Sequence, residues 1–173
     1  TASNVIDDEA NSVTVGGTPQ TPTVQAPAGS RTIVVGPLSG TKTVGTGGDY
    51  ATLTDAAAAI NSVGLGGNTT LSILNSLTEA GAVTFNQWNE CNGSGFTLTI
   101  KPAAATTPTI SASSSTAVII LNGADRVTID GSNSGGTDKS LTITNTNTSA
   151  GNAVIWIKSL GAGLGATNNT IKN

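Results

Sequence analysis

The chain has 173 residues, enough for one domain with a sizeable core. Only 10% are charged and 3% aromatic, with 22 glycines, no histidine and no methionine, whereas an ordinary domain carries about 25% charged residues. The net charge of −3 comes with seven scattered basic residues, which argues against a nucleic-acid partner. With no histidine a Cys/His pair is excluded, and the single Cys91 reads as a small buried hydrophobe. No apolar run approaches the ~20 residues of a membrane span, so the chain is not expected to cross one.

Residues 1–36 read as an extended arm or linker. Asp7, Asp8 and Glu9 form a solvated charge run without the spaced oxygen ligands of a calcium loop. Val13 and Val15 alternate around Thr14, which allows one short strand. Pro19, Pro22 and Pro27 favour an extended chain. Residues 32–36 and 42–45 read as strands. A helix follows, with Thr52 or Thr54 as N-cap and Asp55 in its first turn. Leu53, Ala56, Ala57, Ile60 and Val63 recur at helical spacing, and the glycines from Gly64 end it. A short helix before repetitive strands suits a cap on a solenoid end.

After Gly67 one pattern returns: an apolar residue, then Ser or Thr, then Ile. It stands at 71–73, 98–100, 127–129 and 141–143, with a weaker copy at 169–171. Ile73 to Ile100 is 27 residues, Ile100 to Ile129 is 29 and Ile129 to Ile171 is 42; the last fits a rung lengthened by the loop from Gly131 to Gly136. Such periods point to solenoids or propellers. Few two-residue hairpin turns separate the strands, which disfavours the propeller. Residues 71–75, 82–87 and 96–101 are expected to form a first coil. The predicted fold is all-β: a right-handed parallel β-helix with a short N-terminal capping helix, and a β-sandwich as the alternative. Outward threonines should form ladders on the faces, with asparagines stacked at corners.

The run "PLSGTKTVGTGGDYATLTDAAAA" (37–59), with "FNQWNE" (85–90), the stretch 96–137, "LTITNTNT" (141–148) and 153–173, resembles a domain of large secreted proteins of Bacteroidota and related bacteria. Such domains look like the pectin-lyase-like β-helix superfamily. The resemblance covers roughly residues 37–173 and implies the cap and first rungs of a β-helix. It also implies an extracellular or cell-surface location, often reached by type IX secretion. In relatives of this kind the helix continues through further coils. Stopping at Asn173, in what should be a strand, implies a fragment or an end that something else covers. The resemblance carries no catalytic residues over.

β-Helix enzymes acting on acidic polysaccharides need carboxylates paired on one exposed face. Asp125, Arg126 and Asp130 fall near one corner, but Asp130-Gly131 reads as a turn and Asp125 with Arg126 as a solvated corner or a surface ion pair. Asp49 reads as a turn or cap residue. Trp156 lies in an apolar run and reads as core. Trp88, Asn89 and Glu90 form the one weak carbohydrate-binding candidate, since an indole face can stack on a sugar ring. The glycines at 161–165 open no helix, so they read as a loop rather than a dinucleotide fingerprint. No metal or cofactor is expected, and the chain is read as a non-enzyme.

The expected function is an extracellular structural or adhesive module. It is expected to self-assemble into fibres through an open end and its N-terminal arm. The alternative is a polysaccharide-binding or polysaccharide-degrading domain whose active rungs lie beyond this chain. Expected partners are copies of itself, neighbouring domains of a longer chain, or a glycan.

Overall fold

A computed structural model describes residues 36–90 and 94–173, together with the backbone of 13–15 and 18–20. The acidic run at 7–9, most of the expected strand at 32–36, Pro22, Pro27 and Cys91 lie outside the described residues. The chain divides into two units, Thr1–Thr32 and Ile33–Asn173. In the first, β1 (Val13–Val15) pairs antiparallel with β2 (Thr18–Gln20), so the start of the proline-rich stretch belongs to a hairpin.

The second unit is a right-handed parallel β-helix of about 4 turns. It opens with β3 (Leu38–Val44), α1 (Leu53–Val63) and β4 (Leu65–Ile73). The first coil runs on through β5 (Leu77–Glu79) and β6 (Val83–Asn86). The second comprises β7 (Leu98–Pro102), β8 (Thr109–Ala112) and β9 (Ala117–Asn122). The third comprises β10 (Val127–Asp130), β11 (Thr142–Asn145) and β12 (Ala153–Lys158), after which β13 (Thr170–Lys172) begins another. Three parallel sheets result: β3-β4-β7-β10-β13, β5-β8-β11 and β6-β9-β12, here called sheets 1, 2 and 3.

The coil boundaries differ from the sequence expectation. Residues 98–102 do not close the first coil; β7 lies beside β4 and opens the second. The overlooked side is the short β5, whose three residues carry too little period-2 signal to stand out. Leu71 pairs with Ile100, Ile100 with Ile129 and Ile129 with Ile171, so the steps are 29, 29 and 42 residues. The motif at 71–73 is thus out of phase by two positions, which keeps the same face inward. The copy at 141–143 belongs to sheet 2, where Ile143 pairs with Ile110. The lengthened third rung stands as expected.

Alternation drives the packing. Leu71, Ile73, Leu98, Ile100, Val127 and Ile129 are buried between outward Ser, Thr and Lys residues. Each such aliphatic side chain withdrawn from water contributes roughly 1.5–3 kcal/mol. Sheet 2 adds Leu77 and Ile110, and sheet 3 adds Val83, Phe85, Ile119 and Leu121. On the outside, Thr41, Thr70, Thr99, Thr128 and Thr170 pair in succession along sheet 1. Asn122 donates to Asn86 Oδ1 at 2.7 Å at the end of sheet 3, an asparagine step of the anticipated kind.

The helix caps the first coil, burying Leu53, Ala56, Ala57 and Ile60 against it. Thr52 is the N-cap, its hydroxyl accepting from Asp55 N–H at 3.0 Å. Gly64 ends the helix at φ +73°, and a Cβ there would come within 2.1 Å of Asn89 O, so only glycine fits. Asn61 answers the free edge of β6: its Oδ1 accepts from Asn86 N–H and its Nδ2 donates to Thr84 O, both at 2.9 Å.

Candidate functional site

Most chemistry-bearing residues sit at coil corners and on outward faces, because period-2 strands place every second side chain outward; buried Glu79 is the exception. The carboxylates come first, because they would carry any acid–base chemistry.

Glu79 alternates inward on β5 and is 3% exposed. Its carboxylate accepts Leu53 N–H at 2.8 Å, Thr54 N–H at 3.1 Å and the Thr54 hydroxyl at 2.6 Å. A buried anion at a helix N-terminus satisfies orphan amides and opposes the positive end of the helix dipole. Asp49 accepts Thr43 N–H at 2.7 Å and the Thr43 hydroxyl at 2.8 Å. Those two bonds hold its carboxyl below the usual carboxylate range.

Trp88, Asn89 and Glu90 are split by the fold. Trp88 is 4% exposed and belongs to the core, so it presents no free face to a sugar ring. Its Nε1 is buried without a partner. Asn89 is exposed, and its carbonyl accepts Leu65 N–H at 2.9 Å. Glu90 accepts Gly95 N–H at 2.7 Å, Phe96 N–H at 3.0 Å and Arg126 Nη2 at 2.5 Å. Burial opposes its ionisation, but the Gly95 amide, Arg126 and the Phe96 amide outweigh that and hold its carboxyl below the usual range.

Asp125, Arg126 and Asp130 leave one corner for three different partners. Arg126 ties Glu90 and, through Nε, Phe96 O at 3.1 Å. Asp125 Oδ1 accepts Thr167 N–H at 2.6 Å and the Thr167 hydroxyl at 2.7 Å. Asp130 holds Lys172 at 3.0 Å, Ser132 N–H at 2.9 Å and Asn173 Nδ2 at 2.9 Å. Burial again opposes ionisation, and these partners outweigh it to hold the Asp130 carboxyl low. Sequence reasoning passed over Asp138. It accepts the hydroxyls of Ser132, Ser134 and Ser140 and the amide of Asn133, which close the loop of the long rung. The three hydroxyls and the amide hold its carboxyl far below the usual range. Its spacing after the serines was the available signal. Among the described residues no three His, Cys, Asp or Glu side chains gather as a metal-binding group.

Two surfaces remain open. Trp156, expected in the core, is 44% exposed on the outside of sheet 3, with Lys158 Nζ 5.7 Å from its ring centroid. The glycine loop after β12 bends back without forming a helix, Leu164 N–H donating to Gly161 O and Leu160 N–H to Leu164 O. It walls a shallow cleft of about 210 Å³ with Gln87, Asp125, Leu160 and Leu164. The outside of sheet 2 carries hydroxyls in register: Thr109 pairs with Thr142, and Thr78, Ser111 and Thr144 follow one another across the strands.

The fold places the chain in the class of parallel β-helices. No family model, no curated protein and no solved structure matches the sequence or the fold significantly. Among the described residues no helix is long and apolar enough to cross a membrane.

Proposed function

We propose that this chain is a rigid, non-catalytic β-helix module of a secreted or cell-surface protein, with a structural or adhesive role. The reading draws on the resemblance of residues 37–173 to pectin-lyase-like domains of Bacteroidota surface proteins. One observation carries it: the carboxylates serve as clasps. Asp49, Glu79, Glu90, Asp125, Asp130 and Asp138 all accept protein hydrogen bonds, and Glu79, Glu90, Asp125 and Asp130 bind partners 25 or more residues away. A glycosidase needs two carboxyl groups facing one bond, one of them free to take or give a proton. These groups are instead committed to structural partners: Glu90, Asp125 and Asp130 to neighbouring coils, Glu79 to the capping helix, and Asp49 and Asp138 to their own turns. Half-exposed Ile157 and Ile171 stand in inward columns of the third coil and of β13, which suits stacking on further β-structure, from this chain or from another copy.

The test is incubation of the purified chain with acidic and neutral polysaccharides, following new reducing ends and unsaturated uronates. The expected result is no cleavage. Turnover abolished by Asp125→Asn or Asp130→Asn would overturn the reading.

A second reading, polysaccharide recognition, is favoured by the exposed Trp156 beside Lys158. Sugar retention on an affinity gel, lost in Trp156→Ala and retained in Trp88→Phe, would establish it. Equal mobility with and without each glycan would dismiss it.

A further inference from the structure

We propose that the helix end of the β-helix is sealed against strands of other molecules, and that Asn61 and the Asp49-Tyr50 turn form the seal. Among the described strands β3 ends sheet 1, β5 ends sheet 2 and β6 ends sheet 3 on that side. A strand at the edge of a sheet offers amides and carbonyls to any extended chain, a common start of β-aggregation.

A parallel newcomer pairs at an edge residue through that residue's two neighbours. It donates to the carbonyl before and accepts from the amide after. On β3 and on β6 these groups are already taken. At Val44 on β3 the chain uses its own backbone. Tyr50 stands there as a one-residue parallel bridge, its N–H donating to Thr43 O at 3.1 Å and its carbonyl accepting Gly45 N–H at 2.8 Å. Thr43 N–H, on the same side, donates to Asp49 Oδ2 at 2.7 Å. At Phe85 on β6 a side chain does the work of a peptide. A primary amide holds donor and acceptor together as the backbone does. Asn61 Nδ2 donates to Thr84 O and Asn61 Oδ1 accepts Asn86 N–H, both at 2.9 Å. These two bonds repeat at β6 the pair that Tyr50 makes at β3. β5 has only three residues, too few to template a partner by themselves.

Neither Asn61 nor Asp49 is needed for packing. Both are exposed, and the helix is buried through Leu53, Ala56, Ala57 and Ile60. Asparagine is also a poor helix former, so alanine at 61 would suit the helix itself better. What Asn61 supplies is the occupied edge of β6. The seal confines any stacking on further β-structure to the side of β11, β12 and β13.

The experiment compares the purified chain with Asn61→Ala, Asp49→Ala and Thr52→Ala at equal concentration and neutral pH. Light scattering and thioflavin T fluorescence report association, and circular dichroism and exchange of the Asn86 amide report the fold. Asn61→Ala should keep its circular dichroism spectrum, lose protection at Asn86, and raise scattering and thioflavin T fluorescence severalfold over the wild type. Asp49→Ala frees Thr43 N–H and should raise both to a lesser extent, which keeps the proposal refutable should one variant fail to fold. Thr52→Ala removes the helix N-cap but leaves both edges occupied, so it should match the wild type. Folded Asn61→Ala or Asp49→Ala that associates no more than the wild type would overturn the assignment. So would an equal rise in Thr52→Ala, which would trace association to a fraying helix.

Discussion

Replacing Glu79 by Ala tests whether the capping helix is bound electrostatically as well as by packing. The carboxylate accepts three hydrogen bonds from Leu53 and Thr54 at 2.6–3.1 Å and is 3% exposed. Alanine leaves two amides and a hydroxyl in a space that the side chain had filled. An unmet buried donor costs about 1–3 kcal/mol, and loss of an anion at a helix N-terminus about 0.3–1 kcal/mol. Relaxation that admits water to the Thr54 hydroxyl offsets part of this, so about 3–5 kcal/mol is expected. For a unit of this size about 1 kcal/mol moves Tm by roughly 2–4 °C, so Tm should fall by roughly 6–20 °C. Glu79→Gln keeps one acceptor but turns an NH2 towards the donors, and should fall between the two. Because coils can unfold separately, hydrogen exchange at Leu53 and Thr54 should accompany the melting curve. Loss of protection at those amides, with the β7–β10 amides intact, is the signature. A Tm change under about 2 °C for Glu79→Ala would refute the reasoning.

The remaining predictions concern the clasps, the cap and the columns. The partners of Glu90 and Asp130 hold both carboxyls below their usual range. Their stabilisation is therefore present above the unfolded values of about 4.3 and 3.9 and is lost as pH falls through the folded ones. Glu90→Gln should lower stability by about 1–3 kcal/mol at neutral pH and flatten the fall of stability below about pH 4 in urea titrations. Gly64→Ala, at φ +73° and against Asn89 O, should cost more than about 1 kcal/mol in the same titration. Ile100→Ala, at a fully buried rung, should cost about 2–5 kcal/mol, whereas Ile171→Ala, 53% exposed in the same column, should cost clearly less.

The architecture was legible because a solenoid repeats its sheet positions. The Thr-Ile pairs at 99–100, 128–129 and 170–171 stack directly, and the helix stood out through its spacing and the glycine that ends it. The first coil was misdrawn for a physical reason. A sequence motif marks the inward–outward alternation of a strand, and a shift of two residues preserves it. Leu71-Ser72-Ile73 and Leu98-Thr99-Ile100 therefore look in phase while pairing two positions apart. The same alternation gives the copy at 141–143 the motif of sheet 1 although it lies on sheet 2.

The side chains at the candidate site were harder to read, and the two tryptophans show why. Trp88 stands among Asn and Gln yet is buried in the core just after β6; Trp156 stands among Val and Ile yet is exposed, because strand alternation turns it outward. Local polarity misleads where inward and outward follow residue parity. Partners were hidden for a related reason: Glu90 meets Arg126 36 residues on, and Asp125 meets Thr167 42 residues on, each about one coil away. Charge in this chain is scarce and is spent at corners between coils. The outer face of sheet 2 is left to hydroxyls, whose order comes from register rather than from any motif. If the molecule recognises something, the sheet faces are where spacing can be matched, and disrupting one column should tell more than removing any corner carboxylate.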